Sequence, residues 1–132
     1  MATYKHFYEL PVYKLYRLFR KLISDIAGKF PAQEEYRLKQ QVLNSSRSVT
    51  ANIAEGFGRY HYQENIQFCR QARGSLTETM DHMIVAYDEG YINKEVLGEV
   101  NKKYKDCLLA LNSYVKYLRS AKASAQLSAT NK

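Results

Sequence analysis

Residues 12–26 read VYKLYRLFRKLISDI, and their apolar side chains recur with the spacing of an α-helix. Such a stripe covers one side of an amphipathic helix, and Lys14, Arg17 and Lys21 fall on the opposite side. We therefore predict a first helix that buries one face against other elements and exposes cations on the other. The apolar members of its stripe are Val12, Leu15, Tyr16, Phe19, Leu22, Ile23 and Ile26.

Three further segments show the same helical spacing. The second helix is predicted to begin near Gln33 and to end at Gly56 or Gly58, the third to span 62–89 and the fourth 94–120. No alternating apolar run bounded by turns predicts a strand. Four amphipathic helices with short connections predict an all-α fold, an antiparallel up-down four-helix bundle.

Length and composition agree with a single globular domain. The chain has 132 residues, of which 45% are hydrophobic and 25% charged. We expect residues 1–120 to form the bundle and residues 121–132, AKASAQLSATNK, to be a frayed or disordered tail.

Neither a membrane-spanning run nor a secretory start is evident in the sequence. The two cysteines, Cys69 and Cys107, fall on apolar stripes as buried thiols would. A cytoplasmic, reduced protein is therefore expected.

The chain is basic, with 20 Lys and Arg against 13 Asp and Glu and a net charge of +7. The positive charge is concentrated in the first and fourth helices, whereas the third is acidic. Basic side chains contact phosphates, and aromatics such as Tyr13, Tyr114 and Tyr117 can stack on unpaired bases. The candidate nucleic-acid-binding residues are Lys14, Arg17, Arg20, Lys21, Lys102 and Lys105, with Arg47 and Arg59 as less certain members.

Two other interpretations of this charge pattern stay open at the level of sequence. The cations can simply solvate the outer face of the bundle while the tyrosines pack at helix or subunit contacts. Alternatively, the acidic third helix of one subunit can face the basic helices of another in a head-to-tail ring.

The most distinctive stretch is SSRSVTANIAEGFGR, residues 45–59. Its small side chains allow a neighbouring helix to approach closely, and Gly74 in the third helix suggests close packing there as well. Asn52 and Glu55 can satisfy polar groups across the bundle, for example at Ser75, and Arg59 can pair with Glu55 one turn away. The competing interpretation makes Glu55, with Arg47 and Arg59, a ligand site.

Catalytic arrangements are not recognisable in the sequence. The three histidines, His6, His61 and His82, are widely spaced and unpaired, and no metal-binding or phosphate-binding motif accompanies them. We therefore predict a protein without enzymatic activity, metal or cofactor.

Several short motifs resemble one known family. They are YELPVY at residues 8–13, NIAEGFGR at 52–59, ARGSLTE at 72–78 and GYI at 90–92. Together they resemble the bacterial four-helix-bundle proteins encoded in 23S rRNA intervening sequences, and the resemblance covers roughly residues 7–118. The positions that match its motifs are Asn52, Glu55, Gly56, Arg59, Gly74 and Ser75, and no catalytic role attaches to them.

The resemblance implies an up-down bundle that assembles as a homopentameric ring. For the function it implies binding of RNA or ribonucleoprotein, here through basic outer faces. The family also includes relatives of the accessory protein of diversity-generating retroelements, a basic pentameric bundle that binds a reverse transcriptase and nucleic acid. The alternative function is therefore an accessory scaffold subunit of a reverse transcriptase complex.

Overall fold

The computed structural model describes residues 3–130, which contain helices and no strand. The four α-helices are α1, Pro11–Ala27; α2, Leu38–Gly58; α3, Tyr62–Asp88; and α4, Lys94–Thr130. Two single 3-10 turns, Phe7–Glu9 and Ala32–Glu34, precede α1 and α2. The prediction of an all-α fold with four helices is thus confirmed.

The helices occupy the corners of a square in chain order. Helix α1 contacts α2 and α4, and α3 contacts the same two neighbours. Among the described residues, no Cα atom of α1 lies within 8 Å of one of α3, and none of α2 lies within 8 Å of one of α4, so these pairs lie on the diagonals. The arrangement has four edges, each formed by two neighbouring helices. The surface features described below are located by the edge at which they lie.

The core is continuous along the bundle. Its largest fully buried side chains include Tyr16 and Phe19 of α1, Ile53 of α2 and Leu76 of α3. The hydroxyl of Tyr16 donates a hydrogen bond to the backbone carbonyl of Cys107 at 3.0 Å, so this buried polar group is satisfied across the α1–α4 contact. Burial also raises the pKa of the Tyr16 hydroxyl far above its ordinary value, which keeps it neutral.

Helices α2 and α3 approach most closely at Gly56. A Cβ atom at this position would lie 2.7 Å from Oδ1 of Asn65 and 2.8 Å from the Cβ of Phe68. Elsewhere along the same contact the hydroxyl of Ser48 meets that of Ser75, and the hydroxyl of Ser45 meets that of Thr79. The residue numbers of the partners on α3 therefore decrease as those on α2 increase toward Gly56. Small side chains on α2 therefore permit a close approach, as predicted.

Gly74 behaves differently from the prediction of close packing. No atom lies within 4 Å of the position that its Cβ would occupy, and the residue is exposed. Its buried neighbours Ala72 and Leu76 each lie two residues away, which places Gly74 on the outer side of α3. The expectation of close packing at Gly74 was wrong, because the presence of a glycine in a helix does not reveal which side of that helix packs against a neighbouring helix.

The start of α2 is also later than predicted. Residues 32–34 form a 3-10 turn, and the α-helix begins at Leu38 instead of near Gln33. The hydroxyl of Tyr91 donates to Oε2 of Glu34 at 2.8 Å, and Gln33 donates to the same hydroxyl at 3.3 Å. These contacts with the α3–α4 connection hold the segment in a turn, and they join residues that are distant in sequence.

The final helix extends past Ser120, where the sequence analysis placed a frayed or disordered tail. Residues 121–130 continue α4, and Asn131 and Lys132 lie outside the described residues. The cause is local, since this segment contains strong helix formers such as Ala121, Ala123 and Ala125 and no glycine or proline. None of the helices in the described part of the chain is both long and apolar enough to cross a bilayer.

The two glycines give opposite predictions for one substitution. Gly56→Ala forces α2 and α3 apart or displaces Asn65, so we expect a net destabilisation of at least about 1 kcal/mol. Gly74→Ala meets no atom and improves helix propensity, so it is expected to stabilise the chain by about 1 kcal/mol. Urea unfolding followed by far-ultraviolet circular dichroism measures both. Equal effects of the two substitutions would contradict the close approach at Gly56.

Candidate nucleic-acid interface

Four cations lie at or beside the edge between α1 and α2. The guanidinium of Arg20 donates through Nη1 to Oγ1 of Thr50 on α2 at 2.8 Å. Arg47 lies one turn before Thr50, whose hydroxyl donates to the carbonyl of Arg47 at 3.3 Å. Arg17 and Lys21 lie one turn before and one residue after Arg20 and are exposed, as is Arg47. We call Arg17, Arg20, Lys21 and Arg47 the α1–α2 basic edge.

Carboxylates do not neutralise this edge. Helices α1 and α2 contain only two acidic residues, Asp25 and Glu55. Glu55 accepts from Nη2 of Arg59 at 2.9 Å, and none of the ion pairs found among residues 3–130 includes a cation of the edge. The positive charge is therefore available to a polyanion, and Lys14 extends it along the outer side of α1.

The predicted lysines of α4 lie on a different part of the surface. Lys105 precedes Asn112 by two helical turns and so shares its side of α4. Asn112 accepts from Nη1 of Arg73 on α3 at 3.0 Å, which turns this side toward the α3–α4 edge. In the square arrangement that edge is opposite the α1–α2 edge. The structure thus separates Lys105 from the cations of α1, and Lys102 is exposed one turn earlier on α4.

Arg59 has local partners at the end of α2. It pairs with Glu55 at 2.9 Å and with Glu64 at 3.9 Å, and its guanidinium carbon lies 5.2 Å from the ring centroid of Phe68. The predicted Glu55–Arg59 pair is confirmed. Both side chains are about half exposed, so the pair contributes little stability, and Arg59 is less available to a phosphate than the α1 cations.

Asn52 organises a polar network between α2 and α3. Its side-chain amide donates to the carbonyl of Ser48 at 2.9 Å and to Oγ of Ser48 at 3.0 Å. The hydroxyls of Ser48 and Ser75 are 2.9 Å apart, which completes the link across the helices. The structural interpretation of Asn52 and Ser75 agrees with this geometry. The expectation was wrong for Glu55, whose exposed carboxylate stays with Arg59 and does not reach across the bundle.

The two thiols are buried on the inner sides of α3 and α4, as predicted. Burial raises the pKa of both Cys69 and Cys107 to about 12, so the reactive thiolate is scarce near neutral pH. Among the described residues, no group of three or more His, Cys, Asp or Glu side chains is placed to hold a metal ion.

Two surface features were missed by sequence reasoning. A groove of about 830 Å3 opens beside α1, α4 and the α2–α3 connection, and tyrosines are prominent in its lining. A smaller recess of about 230 Å3 lies between α3 and α4, with Arg70, Arg119 and Lys122 among its lining residues. The only sequence signal was the spacing of Arg119 and Lys122 on one side of the fourth helix. Arg70 lies in the segment whose overall charge is negative, which concealed it.

Comparison with known proteins gives one match. Residues 8–113 match the family model described as 23S rRNA-intervening sequence protein. A search of curated proteins found no match to the chain.

The role of Asn52 can be separated from ligand binding. We expect Asn52→Ala to lower the free energy of unfolding by about 1 kcal/mol, because the link from Ser48 to Ser75 loses a donor. Nucleic-acid affinity is expected to stay unchanged. Asn44→Ala, at an exposed position of the same helix, is the matched control for the change in helix propensity. A loss of affinity at unchanged stability would instead make Asn52 part of a binding site.

Proposed function

Because the chain belongs to the 23S rRNA-intervening sequence protein family, as its motifs predicted, we propose that it is a non-enzymatic protein that binds structured RNA. The proposed contact surface is the α1–α2 basic edge, extended by Lys14. The observation that carries the proposal is a set of neighbouring cations without carboxylate partners on the outside of two packed helices.

The geometry of the edge suits a phosphate backbone. Arg20 is held by Thr50, so one guanidinium is already ordered before a ligand arrives. Arg17, Lys21 and Arg47 are exposed on the same two helices and can follow the spacing of phosphates. Folded RNA is recognised largely through its shape, its phosphates and its 2′-hydroxyls, and a rigid pair of helices with exposed cations fits that mode of recognition.

Lys102 and Lys105 contribute less in this proposal. Lys105 lies on the side of α4 toward α3, away from the α1–α2 basic edge, and Asp106 directly follows it. Lys102 is exposed on α4 one turn earlier. An RNA helix seated on α1 and α2 does not reach them. They are left as a secondary contact for a second segment of a larger RNA.

The arrangement of the helices and their assembly are part of the same proposal. The partner of Ser45 on α3 is Thr79, and the partner of Ser48, further along α2, is the earlier residue Ser75. This opposite order of residue numbers supports an antiparallel up-down bundle. For a homopentameric ring, support comes from exposed apolar side chains, with Leu18 at 54% and Leu109 at 70% exposure. The accessory role in a reverse transcriptase complex stays a prediction of the sequence resemblance, since no contact or surface described above favours it.

Two double charge reversals test the edge. Arg17→Glu with Lys21→Glu is expected to weaken binding of a fluorescent structured RNA by at least about tenfold and to reduce the slope of its salt dependence by about 2. Lys102→Glu with Lys105→Glu removes the same net charge from the other face, and we expect a much smaller loss. Fluorescence anisotropy at several salt concentrations measures both variants.

The two variants also define how the proposal fails. Equal losses would mean that net charge, and not the edge, attracts the RNA. Undiminished affinity of the Arg17→Glu and Lys21→Glu protein would exclude the edge. Absence of binding of the structured RNA by the unaltered protein at low salt would exclude the proposed function.

A further inference from the structure

The groove beside α1 and α4 carries an unusual set of exposed aromatic rings. Tyr60, Tyr62 and Tyr117 line it and are 84%, 40% and 39% exposed. Its floor is apolar, with Val12, Leu15 and Leu118 among the lining residues, and no carboxylate lines it. Rings that are left half in solvent beside an apolar floor provide faces on which a flat ligand can stack.

Tyr60 is held in this position by a strained backbone. Its φ is 58°, and it is the non-glycine residue with a positive φ among residues 3–130. A side chain with a Cβ atom adopts this left-handed conformation at a cost in free energy, and such residues cluster at functional sites. The ring of Tyr60 lies 6.5 Å from that of Phe57, centroid to centroid, yet remains largely exposed. The strain therefore presents an aromatic ring at the mouth of the groove.

A cationic recess lies on the other side of α4, between α3 and α4. Arg70, Arg119 and Lys122 line it, and its lining includes no carboxylate. None of these three cations takes part in an ion pair found in the described part of the chain, and the ammonium of Lys122 donates to Oε1 of Gln63 at 2.6 Å. Three cations that converge without an acidic partner favour an anionic ligand group.

Residues that line the groove and residues that line the recess are close together in the sequence. Tyr62 of the groove and Gln63 of the recess are consecutive at the start of α3, and Tyr117 and Arg119 are two residues apart on α4. The two features thus lie on either side of one segment of α4. An occupant that places flat rings in the groove can place its charged backbone in the recess.

We propose that this end of the bundle binds an unpaired, single-stranded segment of RNA. The bases stack on Tyr60, Tyr62 and Tyr117, and a phosphate enters the recess formed by Arg70, Arg119 and Lys122. Stacking on aromatic side chains combined with cations along the backbone is the general mode of single-strand binding. The choice of RNA rests on the proposed function, but the surface is separate from the α1–α2 basic edge. A base-paired helix offers no free base faces, so this site selects unpaired nucleotides.

An apolar peptide and a second copy of this chain are the other occupants to consider. An apolar peptide would use the groove but leave the three cations of the recess without a counter-charge. A second copy of this chain would cover the tyrosines in the free protein, and that outcome is included in the test.

The test compares an eight-nucleotide oligouridylate with an abasic strand of the same length, both fluorescein-labelled, against the full chain at low salt. We expect tighter binding of the oligouridylate, because only it carries bases. Tyr60→Ala with Tyr117→Ala is expected to weaken this binding by about tenfold or more. Tyr60→Phe with Tyr117→Phe keeps the rings and is expected to bind like the unaltered protein. Tyr36→Ala removes a ring that is 88% exposed and outside the groove, and it serves as the matched control.

The recess is tested through salt dependence. Arg70→Gln with Arg119→Gln is expected to weaken binding of both strands and to lower the slope of the salt dependence by about 0.7, as for one lost phosphate contact to a single strand. Lys29→Gln with Lys94→Gln removes the same charge from exposed positions near the opposite end of the bundle and is expected to change the slope little. Circular dichroism checks that each variant is folded.

The outcomes separate this site from the α1–α2 basic edge. Loss of structured-RNA binding in the Arg17→Glu and Lys21→Glu protein, with oligouridylate binding still dependent on Tyr60 and Tyr117, supports both sites. If the unaltered protein binds oligouridylate in this way but does not bind structured RNA, the proposed function of the edge fails and this inference stands. Equal binding of oligouridylate and the abasic strand overturns the inference, as does undiminished binding by the folded alanine variant. A lower sedimentation coefficient of the RNA-free alanine variant would overturn it in favour of a second copy in the groove.

Discussion

The contact between α2 and α3 is the constraint on which the rest of the molecule depends. At Gly56 the two helices leave no room for a single methyl group, because Asn65 and Phe68 occupy that space. Along the same contact the hydroxyls of Ser48 and Ser75 and of Thr79 and Ser45 meet at 2.9 and 2.8 Å. The close approach at Gly56 and the paired hydroxyls together set the register of α2 against α3. A shift by one residue would replace Gly56 at the close approach with a residue that has a side chain, and it would leave buried hydroxyls without hydrogen-bond partners.

This contact also accounts for the side of the most distinctive sequence motif that faces α3. The small and polar residues around Asn52 face α3 and use their hydrogen bonds within the bundle. Glu55 and Arg59 form an ion pair with each other at the end of α2. Groups that could bind a ligand therefore lie at the outer edges of the square, where Arg17, Lys21 and Arg47 take part in none of the ion pairs found among residues 3–130.

The register of α2 and α3 has a second consequence at the end of the bundle. It sets the position of the short connection that contains Tyr60, and with it the mouth of the groove beside α1 and α4. The basic edge and the groove differ in the chemistry they present. The edge offers charge alone and suits a phosphate backbone of defined shape, whereas the groove offers aromatic rings beside cations and suits unpaired bases. A folded RNA contains both a phosphate backbone of defined shape and unpaired bases, since loops and ends adjoin its helices.

The sequence by itself determined the four helices, their buried faces, the inward cysteines and the Glu55–Arg59 pair. Each of these follows from interactions between residues three or four positions apart, which hydrophobic periodicity reports directly. The tertiary structure alone decided that Gly56 is enclosed while Gly74 is open, that Tyr91 holds Glu34 in a turn before α2, and that Lys105 lies opposite the cations of α1. It also brought Arg70 to Arg119 and Lys122. These features depend on which helices become neighbours and in what register, and periodicity within one helix carries no information about its neighbour.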